Sequence, residues 1–264
     1  MKPFTYEAPK TLADAVAALK HDDGAKLMSG GQSLIPILKL ELATPSTVVA
    51  LSGLSELRGV KRDGDALWIG AMTTHAAVAN SDEVRAHLPA LADLASKIGD
   101  PAVRNRGTLG GSVAHADPAA DYPAALLALN ATVHTDRRTI AADAFFKGLM
   151  ETALAADEII TGVTFRVPRR AAYAKFPHPA SRFAVVGVMV AAFADGVRVA
   201  VTGAGAHAFR VPAMEAALTK KLAADALDGI AVAADDLQSD MDFSAEYRAH
   251  LCGVLARRAV SAIA

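Results

Sequence analysis

Two glycine pairs, Gly30-Gly31 and Gly110-Gly111, are the residues whose type and setting most invite chemistry. Glycine lets a backbone approach a ligand closely and turn its N–H groups toward it. Each pair sits just before a stretch of helical character, so a positive helix end adds to those donors, and the matching ligand is a diphosphate. The hydroxyls of Ser33, Thr108 and Ser112 stand beside the pairs as further donors. A single Gly-Gly pair reads as a turn. Two pairs with matching hydroxyl flanks read as opposite sides of one anion cradle.

The other reactive side chains form no comparable constellation. A single cysteine, Cys252, excludes a disulfide framework, a thiolate zinc site and an iron–sulfur cluster held by this chain alone, and it suits a reducing cytosol. Placed on the last helix, it reads as a small buried hydrophobe. The eight histidines show no metal-site spacing. His115, near the second glycine pair, and His178, between Phe176 and Pro179, read as loop residues, the latter able to face a cofactor or a partner. Ser33 and Ser181 lack visible triad partners. Gly203-Ala204-Gly205-Ala206-His207-Ala208 matches a relaxed dinucleotide fingerprint, with Asp225 at a workable distance for a ribose contact. The strand before it pairs back through Asp195-Gly196, which makes an antiparallel sheet where the fingerprint needs a parallel βαβ unit.

These residues must be positioned by a chain of 264 residues, 52% apolar and 21% charged, enough for a proper core and two modest domains. Its 27 basic and 28 acidic residues leave a formal charge of -1, with no excess to neutralise nucleic acid or a membrane surface. The longest strongly apolar stretch, residues 184–193, falls short of the roughly 20 residues of a membrane-spanning helix. The polar, turn-rich start from Met1 to Glu7 lacks the apolar core of a secretion signal and is expected to belong to the fold.

Thr11 and Asp14 predict a capped helix ending near residues 21–24, followed by a short strand at Lys26-Leu27-Met28, the glycine segment and a helix over 34–40. A strand over 47–51, a hairpin over 57–69 about Asp63-Gly64, and helices over 74–79 and 89–98 come next. A second glycine loop over 107–112 then leads through Asp117-Pro118-Ala119-Ala120-Asp121 to an apolar helix over 123–129, which repeats the arrangement. A hairpin over 132–139 and a strand from Glu158 to Val167 end at Pro168, the expected domain boundary. Strands over 171–176, 184–194 and 197–202 follow. Helices over 211–218, 225–234 and from Ser244 onward finish the chain, the last with Tyr247, Leu251, Leu255 and Ala259 on one side. Strands then helices predict an α+β class, with the last sheet covered on one face.

The segments Lys26-Leu27-Met28-Ser29-Gly30-Gly31-Gln32-Ser33, Arg104-Asn105-Arg106-Gly107-Thr108-Leu109-Gly110-Gly111-Ser112 and Asp117-Pro118-Ala119-Ala120-Asp121 resemble the FAD-binding medium subunit of molybdenum hydroxylases. This is the family of the carbon monoxide dehydrogenase medium subunit and the xanthine dehydrogenase FAD domain. The resemblance runs the length of the chain in order, including Tyr173-Ala174-Lys175 and Pro179-Ala180-Ser181-Arg182-Phe183. It implies an FAD-binding domain of the vanillyl-alcohol-oxidase or PCMH type over residues 1–168, with subdomains of about 1–55 and 56–168. A smaller C-terminal domain of the carbon monoxide dehydrogenase flavoprotein type would span 169–264.

The resemblance also assigns the site. Lys26, Leu27, Met28, Ser29, Gly30, Gly31, Gln32 and Ser33 line the diphosphate and adenosine side of FAD, while Thr108, Leu109, Gly110, Gly111 and Ser112 close from the opposite side. Asp121 matches a cofactor-binding aspartate, Ile98 and Ile160 apolar contacts, and Lys175 a cofactor-contacting lysine. Phe183 falls where relatives often carry a tyrosine beside the isoalloxazine, so a shielding role survives without the hydroxyl's hydrogen bond. Read without the family, Asp121 is an N-cap, Lys175 a solvated surface lysine, and Ile98 and Ile160 plain core residues. The implied function is cytoplasmic electron transfer. Electrons come from [2Fe-2S] clusters of a small subunit and go to an external acceptor, while a large subunit with molybdenum cofactor hydroxylates the substrate, in a dimer of heterotrimers. No residue of this chain is expected to be catalytic or to bind metal. The rival readings are a free-standing flavin oxidase or reductase of the same superfamily and a nucleotide-binding module without redox function.

Overall fold

A computed structural model describes residues 1–264. Its first layer is a three-stranded parallel sheet of β1 (Thr5–Glu7), β3 (Thr47–Ala50) and β2 (Lys26–Met28), in that spatial order. Helix α1 (Leu12–His21) crosses from β1 to β2, and its Thr11 cap accepts from the Asp14 N–H at 3.1 Å. Helix α2 (Leu34–Lys39) crosses from β2 to β3. Every residue of β3 is buried, as expected of a central parallel strand.

The second sheet is antiparallel, in the order β4 (Val60–Asp63), β5 (Ala66–Gly70), β10 (Ile160–Arg166), β6 (Thr132–Thr135), β7 (Thr139–Ala141). Between β5 and β6 the chain forms six short helices. These are α3 (His75–Asn80), α4 (Asp82–His87), α5 (Pro89–Ser96), α6 (Pro101–Arg106), α7 (Leu109–His115) and α8 (Tyr122–Ala128). A small hairpin of β8 (Phe146–Gly148) and β9 (Glu151–Thr152) precedes β10. The third sheet is an antiparallel meander of β11 (Arg170–Pro177), β12 (Ala184–Phe193), β13 (Gly196–Thr202) and β14 (Phe209–Arg210), followed by α9 (Pro212–Lys220) and α10 (Ala245–Ser261).

Three expectations change. The Gly110-Gly111 pair lies inside the first turn of α7, not in a loop, because Thr108 already caps that helix. Residues 225–234 form no helix: a single 3-10 turn at Ala224–Leu227 ends there, and Gly229, at φ +78°, takes the chain out of helical space. As the pairing through Asp195-Gly196 predicts, the sheet is antiparallel here and Gly203-Ala204-Gly205 leads into β14, so the dinucleotide fingerprint has no βαβ unit. The third sheet is covered on both faces. All ten residues of β12 are buried: Val188 and Val190 pack in the core with α10, while Met189 and Ala191 join the core that holds α5 and α8.

Candidate functional site

A cleft of about 560 Å³ opens where the first layer, the helical segment and the hairpin of β8 and β9 meet. One wall is the segment between β2 and α2. Gly31 sits at φ +75°, a left-handed conformation that glycine adopts without a Cβ clash. The backbone N–H groups of Gly30, Gly31, Gln32 and Ser33 have no acceptor within the chain, and the Ser33 hydroxyl makes no capping bond. Four consecutive unpaired donors along a concave wall are the arrangement an anion needs.

The facing wall is the turn from α6 into α7. A Cβ on Gly30 would stand 2.7 Å from the Arg106 carbonyl carbon and 2.8 Å from Gly107 Cα, so the two glycine segments touch backbone to backbone. Here the donors are already used. Leu109 N–H donates to Thr73 O at 3.0 Å, Gly110 N–H to Ala71 O at 2.8 Å, and Gly111 N–H to Thr108 Oγ1 at 3.1 Å. The Ser29 and Thr108 hydroxyls meet at 2.6 Å and bridge the walls. The two pairs are therefore unequal: the first presents donors, whereas the second shapes the wall, with Gly110 pressed against Ala71.

At the far end the Asp121 carboxylate, 4% exposed, accepts from Lys175 Nζ at 2.9 Å and from the Tyr173 hydroxyl at 2.5 Å. Lys175 Nζ also donates to the Lys97 carbonyl at 3.2 Å. Burial pushes the Asp121 carboxyl above the ordinary carboxylate range, against the pull of Lys175 and the Tyr173 hydroxyl. The segment before Asp121 is tied to the third sheet through Gly203 N–H to Pro118 O at 2.8 Å and Thr202 Oγ1 to Ala120 O at 2.6 Å. In the cleft lining, Glu158 is held by Arg138 at 2.7 Å, which brings its carboxyl down to about 2.

Comparison with known proteins decides the family. Residues 2–169 match the model described as the FAD binding domain in molybdopterin dehydrogenase. The chain belongs to that family. The chain is 40% identical over 271 residues to the nicotine 6-hydroxylase medium subunit of Paenarthrobacter nicotinovorans, covering 97% of this chain and 95% of the relative. It is 37% identical over 282 residues to the carbon monoxide dehydrogenase medium chain of Hydrogenophaga pseudoflava, with 98% and 96% covered. A solved carbon monoxide dehydrogenase from Hydrogenophaga pseudoflava superposes with a TM-score of 0.89 at 35% identity, over 100% of this chain and 98% of that one. Quinoline 2-oxidoreductase from Pseudomonas putida 86 gives 0.90 at 28% identity, over 100% and 98%.

Within this FAD-binding family the chain is an oxidoreductase subunit of α+β fold. Of the residues singled out in the sequence, Lys26, Leu27, Ser29, Gly30, Gly31, Gln32, Ser33, Ile98, Thr108, Gly110, Gly111, Ser112, Asp121, Ile160 and Phe183 line the cleft. Met28, Leu109 and Lys175 do not. Met28 is half-buried behind Gly31, Leu109 is fully buried in the core, and Lys175 reaches the cleft only through Asp121. Asp121 occupies the N-cap position of α8, as the reading without the family suggests, but its side chain makes no capping bond and turns instead to Lys175, whose side chain is only 3% exposed and is no solvated surface lysine. His115, the last residue of α7, lines the cleft, whereas His178 turns to Asp242 at 3.3 Å. Sequence reasoning passed over His75 and Met72 in the cleft lining, because their place depends on contacts far along the chain.

Proposed function

We propose that this chain is the FAD-carrying electron-transfer subunit of a heteromeric molybdenum hydroxylase. Electrons enter from [2Fe-2S] clusters on a small partner and leave to an external acceptor. A large molybdenum-cofactor subunit hydroxylates the substrate, in a cytoplasmic dimer of heterotrimers. The observation that carries the reading is the row of unpaired N–H donors from Gly30 to Ser33 in a cleft of about 560 Å³, a volume within the range of cofactor sites. The medium-subunit relatives, matched over nearly their whole length, support it from sequence.

When bound, FAD supplies redox chemistry in one- or two-electron steps. The chain's own residues position and enclose it. Gly30 to Ser33 offer donors to the diphosphate, Ile98 and Ile160 give apolar surface that excludes water, and Phe183, 48% exposed at the mouth, shields one side. The buried Asp121–Lys175 pair fixes polarity at the far end. The Ser29 hydroxyl is taken up by Thr108 and Met72, which ties the two walls together. The visible spectrum of the purified chain, with identification of the nucleotide released by heat, tests the reading. A flavin band and released FAD are expected. A colourless chain that takes up no added FAD overturns it.

A further inference from the structure

His75 opens α3, behind the contact between the two glycine segments. It is 5% exposed and lines the cleft, yet neither ring nitrogen has a hydrogen-bond partner in the chain. Nδ1 is buried without a partner, whereas Nε2 lies against Gly107 in the wall of the cleft. A Cβ on Gly107 would stand 2.6 Å from Nε2, so glycine at 107 is what admits the imidazole there. Gly107 is also the residue that Gly30 touches, which sets Nε2 beside the wall of free donors.

The surroundings specify the ring's state. The Tyr122 ring packs at 5.4 Å with its own hydroxyl unpartnered, and the nearby Arg104 guanidinium is bound to the Ile98 and Gly99 carbonyls at 3.0 Å. Burial, with Arg104 adding to it, brings the imidazole down to about 4, so it is neutral near pH 7. A neutral ring carries one N–H, and an orphaned buried N–H is rarer than an under-used acceptor. The proton therefore belongs on Nε2, the nitrogen on the Gly107 side. A buried imidazole left unpaired on both sides is costly, which points to an acceptor supplied by a ligand.

We propose that His75 is a ligand-contacting residue, a neutral imidazole whose Nε2–H donates to a non-bridging oxygen of the dinucleotide diphosphate held by Gly30 to Ser33. The inference rests on the FAD reading above. Its test is titration of the full chain with FAD and with ADP, for wild type and for His75→Gln, His75→Asn and His75→Phe, with thermal melting of each. Gln places an amide N–H near Nε2, whereas Asn reaches only as far as Nδ1. His75→Asn and His75→Phe are expected to raise the Kd for both ligands about 3- to 10-fold, and His75→Gln to stay within about twofold, as for one hydrogen bond. A purely structural role would move the melting temperature of Gln and Asn alike without separating their Kd values. Equal Kd values in all four proteins overturn the contact, and a loss for FAD without one for ADP overturns its assignment to the diphosphate. If wild type binds FAD and the variants do not differ, only this inference falls. If wild type binds no FAD, the functional reading falls with it.

Discussion

Gly30→Ala probes the cleft at its tightest point. The added methyl would stand 2.7 Å from the Arg106 carbonyl carbon, 2.8 Å from Gly107 Cα and closer still to the Arg106 oxygen. Carbon atoms are comfortable at about 3.5–4.0 Å, so the two segments must part by roughly 1 Å. Both neighbours are backbone, and the Arg106–Gly107 turn is pinned by the bond from His75 N–H to Gly107 O at 2.9 Å, so no side-chain rotation relieves the clash. Overpacking of this kind costs about 1–3 kcal/mol. Where it strains the free chain, the melting temperature falls by about 2–4 °C per kcal/mol. Where the free chain relaxes by opening the cleft, the same cost appears as a rise of about 5- to 150-fold in the Kd for FAD. Thermal melting and flavin fluorescence titration of the same samples measure both. A variant with unchanged melting and unchanged Kd would refute the backbone contact as the organising feature of the cleft.

Three further outcomes follow from the same structure. Removing one member of the buried pair, by Asp121→Asn or Lys175→Met, is expected to cost about 3–5 kcal/mol in urea denaturation, and the double variant less than the sum, since no charge is then left stranded. His75 protonates less readily folded than unfolded, so between about pH 4 and 6.5 the unfolded chain binds the extra proton and stability rises with pH. That contribution is at most about 3 kcal/mol, and a denaturation series at pH 4.5 and 7 should show it shrink in His75→Phe. Gly253→Ala, in the middle of α10, meets only Arg257 Nη1 at 3.3 Å, the end of a long side chain whose Nη2 donates to the Leu227 carbonyl at 3.1 Å. Chemical denaturation should find it more stable by about 0.4–1 kcal/mol.

Elements with strong local signals were legible in the sequence. Thr11 and Ser244 cap the helices they announce, Asp63-Gly64 and Asp195-Gly196 mark the turns of two hairpins, and the β11 to β13 meander lies where β-branched runs placed it. The six-residue helices α4 and α6 are too short to show a period of 3.6. Residues 225–234 form an irregular segment in place of the expected helix, with Leu227 and Ile230 pinning it to the C-terminal core. In the site, the glycine pairs were visible as composition, whereas their division of labour was not. It depends on Ala71 and Thr73 accepting the α7 donors from more than thirty residues upstream. Asp121 and Tyr173 are 52 positions apart, and no local pattern reveals such a pair.

The enclosure of β12 between two helical layers bears on how such subunits can be recombined. Met189, Ala191 and Phe193 complete a core whose other members include Leu91, Leu126 and Leu129, so the side chains of the two halves must match as a set. A hybrid that joins the first 168 residues of one relative to the remainder of another would pair unmatched surfaces along this seam. Exchanges that carry α5 and α8 together with the meander preserve the fit, and protein engineers seeking interchangeable flavin subunits should place their crossover points accordingly.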